Sequence, residues 1–294
     1  MFEQFAPFQI PVGDVTIAGR VGGSGPPLLL LHGHPQNHLI WHRVADRLAA
    51  RFRVVCPDLR GYGASSKPPG LPDHANYSKR QMAADVRALM RHFGHDRFDV
   101  CAHDRGARVT HRLCMDAPEA VGRALLLDIA PTLAMYEQTS REFASVYFHW
   151  FFLIQPQPLP ERLIGADPDA YIDAVMARRA PQPSPFTPEV QAAYRAALRS
   201  PGAVHAMCED YRASAGIDLE HDRADRDAQR LCRVPLRVLW GELGIIGRLF
   251  DPLREWRRIA EHVDGHALPC GHYIPEEAPD AVFDAVVDFL GAPR

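Results

Sequence analysis

The chain has 294 residues, 23 % of them charged, and a formal net charge of −3 from Lys+Arg 33 against Asp+Glu 36. That balance excludes nucleic acid or another bulk electrostatic partner, and the length is enough for a large core in one elaborated domain or two. The apolar run Pro26–Leu31 is too short to span a bilayer, and Met1–Ile10 shows no basic stretch leading into an apolar one, so neither a membrane segment nor a signal peptide is expected.

Val15–Val21 alternates like a strand and runs into the turn Gly22-Gly23-Ser24-Gly25-Pro26. Pro27–His32 reads as a buried strand, and Arg53–Cys56 as another that ends at Pro57-Asp58. Ser78-Lys79-Arg80-Gln81 has capping-box spacing, and helical periodicity follows through Phe93. A strand at Phe98–Cys101, a helix over Arg105–Met115 and a strand at Ala124–Leu127 come next. After Pro131 the pattern changes to helical periods, aromatics and Pro-rich breaks, and strand character returns only at Val234–Trp240. An amphipathic helix over Pro279–Leu290 closes the chain. The expected fold is α/β: a mostly parallel sheet covered by helices on both faces, formed by 1–131 and 228–294, with a helical cap over 132–227 inserted in it. The six cysteines are scattered without a CxxC pair, which fits reduced thiols in a cytoplasm better than disulfides or a zinc knuckle.

Ala102-His103-Asp104-Arg105-Gly106 joins an expected strand to an expected helix. It has the small-x-nucleophile-x-small form of the α/β-hydrolase nucleophile turn, with aspartate in the place of serine. The exchange restricts the chemistry. Serine attacking a saturated carbon would leave an ether, whereas a carboxylate leaves an ester that water can open at the aspartate's own carbonyl. Asp104 therefore points to displacement at sp³ carbon, such as C–halogen cleavage or epoxide opening.

Opening the ester needs a base, and His272 in the turn Gly271-His272-Tyr273 is the candidate. Its carboxylate partner is expected at Asp128, with Glu242 in Trp240-Gly241-Glu242 as the alternative. The oxyanion formed on Asp104 needs amide donors, expected from the backbone of His34 in His32-Gly33-His34-Pro35 and of Arg105. A metal reading of His32 and His34 lacks a third ligand at useful spacing. No cofactor is expected, because Asp58-Leu59-Arg60-Gly61-Tyr62-Gly63 lacks dinucleotide-binding spacing. Arg105 and Arg108 share one helix face beside Asp104 and can hold a substrate carboxylate that Asp104 would otherwise repel. Their structural alternative is an ion pair at the helix start.

In these motifs the chain resembles the fluoroacetate (haloacetate) dehalogenases of the α/β-hydrolase superfamily. Matching segments run nearly end to end, among them Leu28–Gln36, Asp58–Ser65, His103–Val109, Leu127–Pro131, His149–Pro158, Cys208–Arg212 and Gly271–Pro275. The resemblance implies that His149, Trp150 and Tyr211 receive the departing halide, that the substrate is a small haloacid and that the protein is a homodimer. Fluoride is strongly hydrated, so directed donors must replace its water as charge develops, and these three side chains can supply them. The chain departs from relatives in three places: Ala102 where glycine is usual, His34 where phenylalanine is frequent, and Ala177–Pro185, which lacks a tryptophan found thereabouts. Two other readings remain, an epoxide hydrolase and a non-catalytic small-molecule receptor. Paired arginines suit an acid better than a neutral epoxide, and a receptor needs no complete nucleophile-base-acid set.

Overall fold

Leu28, Leu29, Leu30 and Leu31 are all fully buried because both faces of their strand are covered. Leu29 and Leu31 pack into one apolar cluster, while Leu28 and Leu30 pack into another on the opposite face. The computed structural model describes residues 1–291. Its strands are β1 (Phe5–Val12), β2 (Val15–Gly22), β3 (Pro27–Leu31), β4 (Arg53–Pro57), β5 (Phe98–His103), β6 (Val121–Leu127), β7 (Leu236–Gly241) and β8 (Val263–Leu268). They form one eight-stranded sheet in the order β1-β2-β4-β3-β5-β6-β7-β8. Pairing is parallel from β4 through β8, and antiparallel between β1 and β2 and between β2 and β4.

The expected strands and helices are present, with ends moved by a few residues. Ser78 caps the helix Lys79–His92 by accepting from the Gln81 amide, as its spacing predicts. Strands β1 and β8 escape the periodicity. Phe5–Val12 carries Pro7 and Pro11, which an edge strand tolerates because no second neighbour needs their missing N–H. Val263–Leu268 sits at the opposite edge, mostly half-exposed or exposed, so it carries no apolar run.

Between β6 and β7 the described chain forms helices only, from Thr132–Glu137 to Ile217–Asp227. Their aromatic cluster of Phe143, Tyr147, Trp150, Tyr194 and Tyr211 extends to Tyr273 beside the sheet. This segment therefore lies over the C-terminal ends of the strands, where the loops after β3, β5, β6 and β8 converge. Among the described residues no helix is long and apolar enough to cross a membrane.

Candidate active site

Asp104 follows β5 and starts the helix Arg105–Asp116, with φ 47° and ψ −113°. Such a backbone is strained for a residue with a Cβ, and it holds the carboxylate out of the strand–helix line. Only small neighbours permit it. A Cβ on Gly33 would lie 2.4 Å from Asp104 Cβ, and one on Gly106 would lie 2.5 Å from the His32 carbonyl. Ala102 is fully buried.

Asp104, Asp128 and His272 come together. The His272 Nδ1 atom lies 2.6 Å from Asp128 Oδ2, and Asp128 Oδ1 accepts the Gly241 N–H at 2.8 Å. His272 Nε2 faces Asp104 Oδ2 at 3.9 Å. The partner of His272 is thus Asp128, at the end of β6, and not Glu242. Burial favours the neutral imidazole and holds the His272 pKa well below 6.5, with the Arg179 cation adding to the effect. For Asp104 burial works against ionisation, yet His272, His103, Arg179 and Arg108 together hold the carboxyl well below the usual range.

Of the two expected oxyanion donors, the His34 N–H donates to Asp104 Oδ1 at 2.9 Å, while the Arg105 N–H makes no bond to that carboxylate. The His34 ring stacks on His149 at 5.3 Å. His32 serves the loop instead, accepting the Leu59 N–H on Nε2 at 2.9 Å and contacting the Gly33 carbonyl through Nδ1.

Arg105 is where the structure narrows the sequence reading. Its Nε and Nη2 grip Asp210 at 2.8 and 2.7 Å, so the bidentate edge is occupied by protein. The guanidinium lies 4.1 Å from the centre of the Tyr211 ring, and only Nη1 is without a partner. Arg108 has no carboxylate partner among the described residues. Its Nη1 donates to Thr132 Oγ1 at 2.8 Å and to the Ala130 carbonyl at 3.2 Å, its Nη2 contacts Met135 Sδ, and Nε is unpartnered.

His149, Trp150 and Tyr211 line the same space: the His149 and Tyr211 ring centres are 5.7 Å apart, and those of Trp150 and Tyr211 are 6.4 Å apart. His149 Nε2, Trp150 Nε1 and Tyr211 Oη are all buried without hydrogen-bond partners, as are both ring nitrogens of His34. Buried polar atoms nearly always find partners. A concentration of unpartnered donors around one carboxylate is the signature of a site made for a polar ligand.

Two residues of this site escaped the sequence reading. Asp210 neutralises Arg105 and Lys79 and accepts from Tyr62 Oη at 2.6 Å. Its place beside Tyr211 is the one signal that was available. Arg179, in the stretch that lacks a tryptophan, places Nη1 3.0 Å from His272 Nε2, and no periodicity marks it.

A model of the α/β hydrolase fold matches residues 26–279. A fluoroacetate dehalogenase from Burkholderia sp is 46% identical over 295 residues, covering 100% of this chain and 96% of that protein. A soluble epoxide hydrolase from Corynebacterium sp. (strain C12) is 33% identical over 276 residues, covering 92% of each. A crystal structure described as that of an α/β hydrolase from Nostoc sp PCC 7120 superposes with a TM-score of 0.97 at 49% identity, over 100% of both chains. With an aspartate at the nucleophile turn and relatives of this kind along its whole length, the chain belongs to the α/β hydrolases, in the family of the Burkholderia fluoroacetate dehalogenase.

Proposed function

We propose that this hydrolase removes halide from haloacetates, fluoroacetate and chloroacetate among them, and yields glycolate. One observation carries the reading: two groups of buried donors have no partner, Arg105 Nη1 and Arg108 Nε on the elbow helix that Asp104 starts, and His149 Nε2, Trp150 Nε1 and Tyr211 Oη from the helical segment, which we read as a cap over 132–227. The first pair suits a carboxylate. The second set suits a leaving halide.

Asp104 Oδ2 attacks the halogen-bearing carbon, the C–X bond breaks, and the electron pair leaves with the halide. Water between His272 and the new ester gives a proton to Nε2 and adds to Asp104 Cγ. Asp128 fixes the imidazole tautomer and supports the charge that the ring gains. The backbone amides of His34 and Arg105 receive the oxyanion, and its collapse expels the glycolate oxygen, which takes the proton back. No metal or nucleotide enters these steps. The reading also carries a homodimer, implied by the family resemblance, and a cytoplasmic location, from the scattered cysteines; sedimentation of the purified chain tests the first.

The epoxide reading has one observation of its own: buried tyrosine hydroxyls other than that of Tyr211 are without partners, on Tyr136, Tyr147, Tyr171 and Tyr273. The experiment is halide release from fluoro-, chloro- and bromoacetate and longer 2-haloacids, without added metal, beside styrene oxide. Diol formation from styrene oxide with no halide from any haloacid would replace the dehalogenase reading.

A further inference from the structure

Arg179 occupies the place where the hydrolytic water must act. Its guanidinium can only donate hydrogen bonds, so the 3.0 Å contact uses the lone pair of His272 Nε2. A water cannot be deprotonated through that lone pair while Arg179 holds it. Displacement by Asp104 needs no base and is unaffected. The arrangement therefore permits the first half-reaction and blocks the second.

Three features let the side chain leave without unfolding its surroundings. Its backbone is pinned, since the His272 N–H donates to the Arg179 carbonyl at 3.4 Å. The side chain is held by neutral groups, the His34 and Val175 carbonyls, His272 Nε2 and the faces of Tyr147 and Tyr273, and among the described residues no carboxylate lies within ion-pair distance of it. A cavity of about 300 Å³ opens beside it, bordered by Arg179, His272, Tyr147 and Ile245 and by two further cations, Arg178 and Arg248, the second of them paired with Glu142.

Asp104 stands on the other side of the same nitrogen, its Oδ2 3.9 Å from the His272 Nε2 that Arg179 approaches to 3.0 Å, so the carboxylate and the guanidinium each favour the other's charged form. Esterification removes that charge. We propose that Arg179 is a positioning residue that masks His272 while Asp104 is a carboxylate, and that it swings into the adjoining cavity once Asp104 is esterified, freeing Nε2 and admitting water. The order of the two half-reactions is then written into the charge of the nucleophile. This inference rests on Asp104 being the nucleophile of the proposed reaction.

Asp104→Asn provides a stable neutral stand-in for the ester. The 15N resonance of His272 Nε2, read in selectively labelled protein at a pH where the ring is neutral and assigned with His272→Gln, reports what its lone pair accepts. The expected result is that Asp104→Asn and Arg179→Met move this resonance to the same new position. Crystal structures of the unsubstituted protein and of Asp104→Asn should show the guanidinium on His272 in the first and in the cavity in the second. An Asp104→Asn protein that keeps both the resonance and the guanidinium unmoved would overturn the release. An unmoved resonance in Arg179→Met would overturn the masking. Neither measurement uses a haloacid, so a failed halide assay and a failed release are separate results.

Discussion

The two oxygens of Asp104 are not equivalent. Oδ1 is held by the His34 amide, and Oδ2 is the one turned toward His272. An oxygen already in the oxyanion position is the poorer nucleophile, which assigns attack to Oδ2. With His272→Ala, attack can still proceed while ester hydrolysis loses its base. Up to one halide should be released per site, and the protein should gain the mass of the substrate less hydrogen halide, with the mass mapped to Asp104. Full turnover by that variant, or an adduct elsewhere, would refute the scheme. Trp150→Phe removes one unpartnered N–H and keeps the apolar surface under the Arg108 cation, 4.8 Å from the indole. Turnover of fluoroacetate should fall more than that of chloroacetate or bromoacetate, because the smaller anion depends most on directed donors as it leaves. Equal losses in a side-by-side rate comparison would make the indole a packing residue.

Where elements meet, the closest approach is that of the loop after β3 to the elbow after β5. Gly33→Ala would drive a methyl into Asp104, 2.7 Å from Oδ1. Overpacking of this kind costs about 1–3 kcal/mol, and here it also displaces the nucleophile. The variant should fold, with a lowered melting temperature, and be inactive; retained turnover would show that the loop yields. A second junction joins the elbow helix to the helix Ala203–Ala215 through Asp210. Asp210→Asn leaves Arg105 without its carboxylate and Lys79 with only Asp218, at 3.7 Å, which should destabilise the fold by about 3–5 kcal/mol in denaturant titration. A loss under 1 kcal/mol would mean that water replaces the carboxylate. These junctions also show what can be read from the chain alone. Parallel strands buried on both faces carry continuous apolar runs, so β3, β5 and β6 and the catalytic turns at their ends are legible, and His149-Trp150 can be placed by family resemblance. Asp210 and Arg179 are not, because their meaning lies in long-range contacts that no local period encodes. The two edge strands are hidden for the opposite reason, since half-exposed strands need no apolar run.

Across the whole molecule the burial of histidine sets the response to acid. His32, His34, His103, His111, His149 and His272 are buried, and burial lowers the pKa of each. In the unfolded chain these rings protonate near pH 6.5, while in the fold they stay neutral to much lower pH. Below pH 6.5 the unfolded state therefore binds more protons, and stability falls by about 1.4 kcal/mol per pH unit for each net proton. Asp128, Asp218, Asp222, Glu276 and Glu277, raised by burial, work in the opposite sense but are outnumbered by the six rings. The melting temperature should decline from pH 6.5 toward 4.5, ahead of ordinary carboxylate titration. A flat profile over that range would mean that the buried rings are charged in the fold. The path of the chain has a consequence of another kind. The helical segment leaves the sheet after β6 and returns at β7, and these strands are neighbours, with the Asp128 N–H donating to the Leu239 carbonyl at 2.8 Å. Asp128 directly follows β6 and the Gly241 amide that steadies it ends β7, so the sheet sets both. On the proposed reading, grafting an excursion from a relative between these strands would exchange the donors facing the leaving group while Asp128 stays where the sheet holds it, provided that the graft also carries an acid for Arg105 in the place of Asp210.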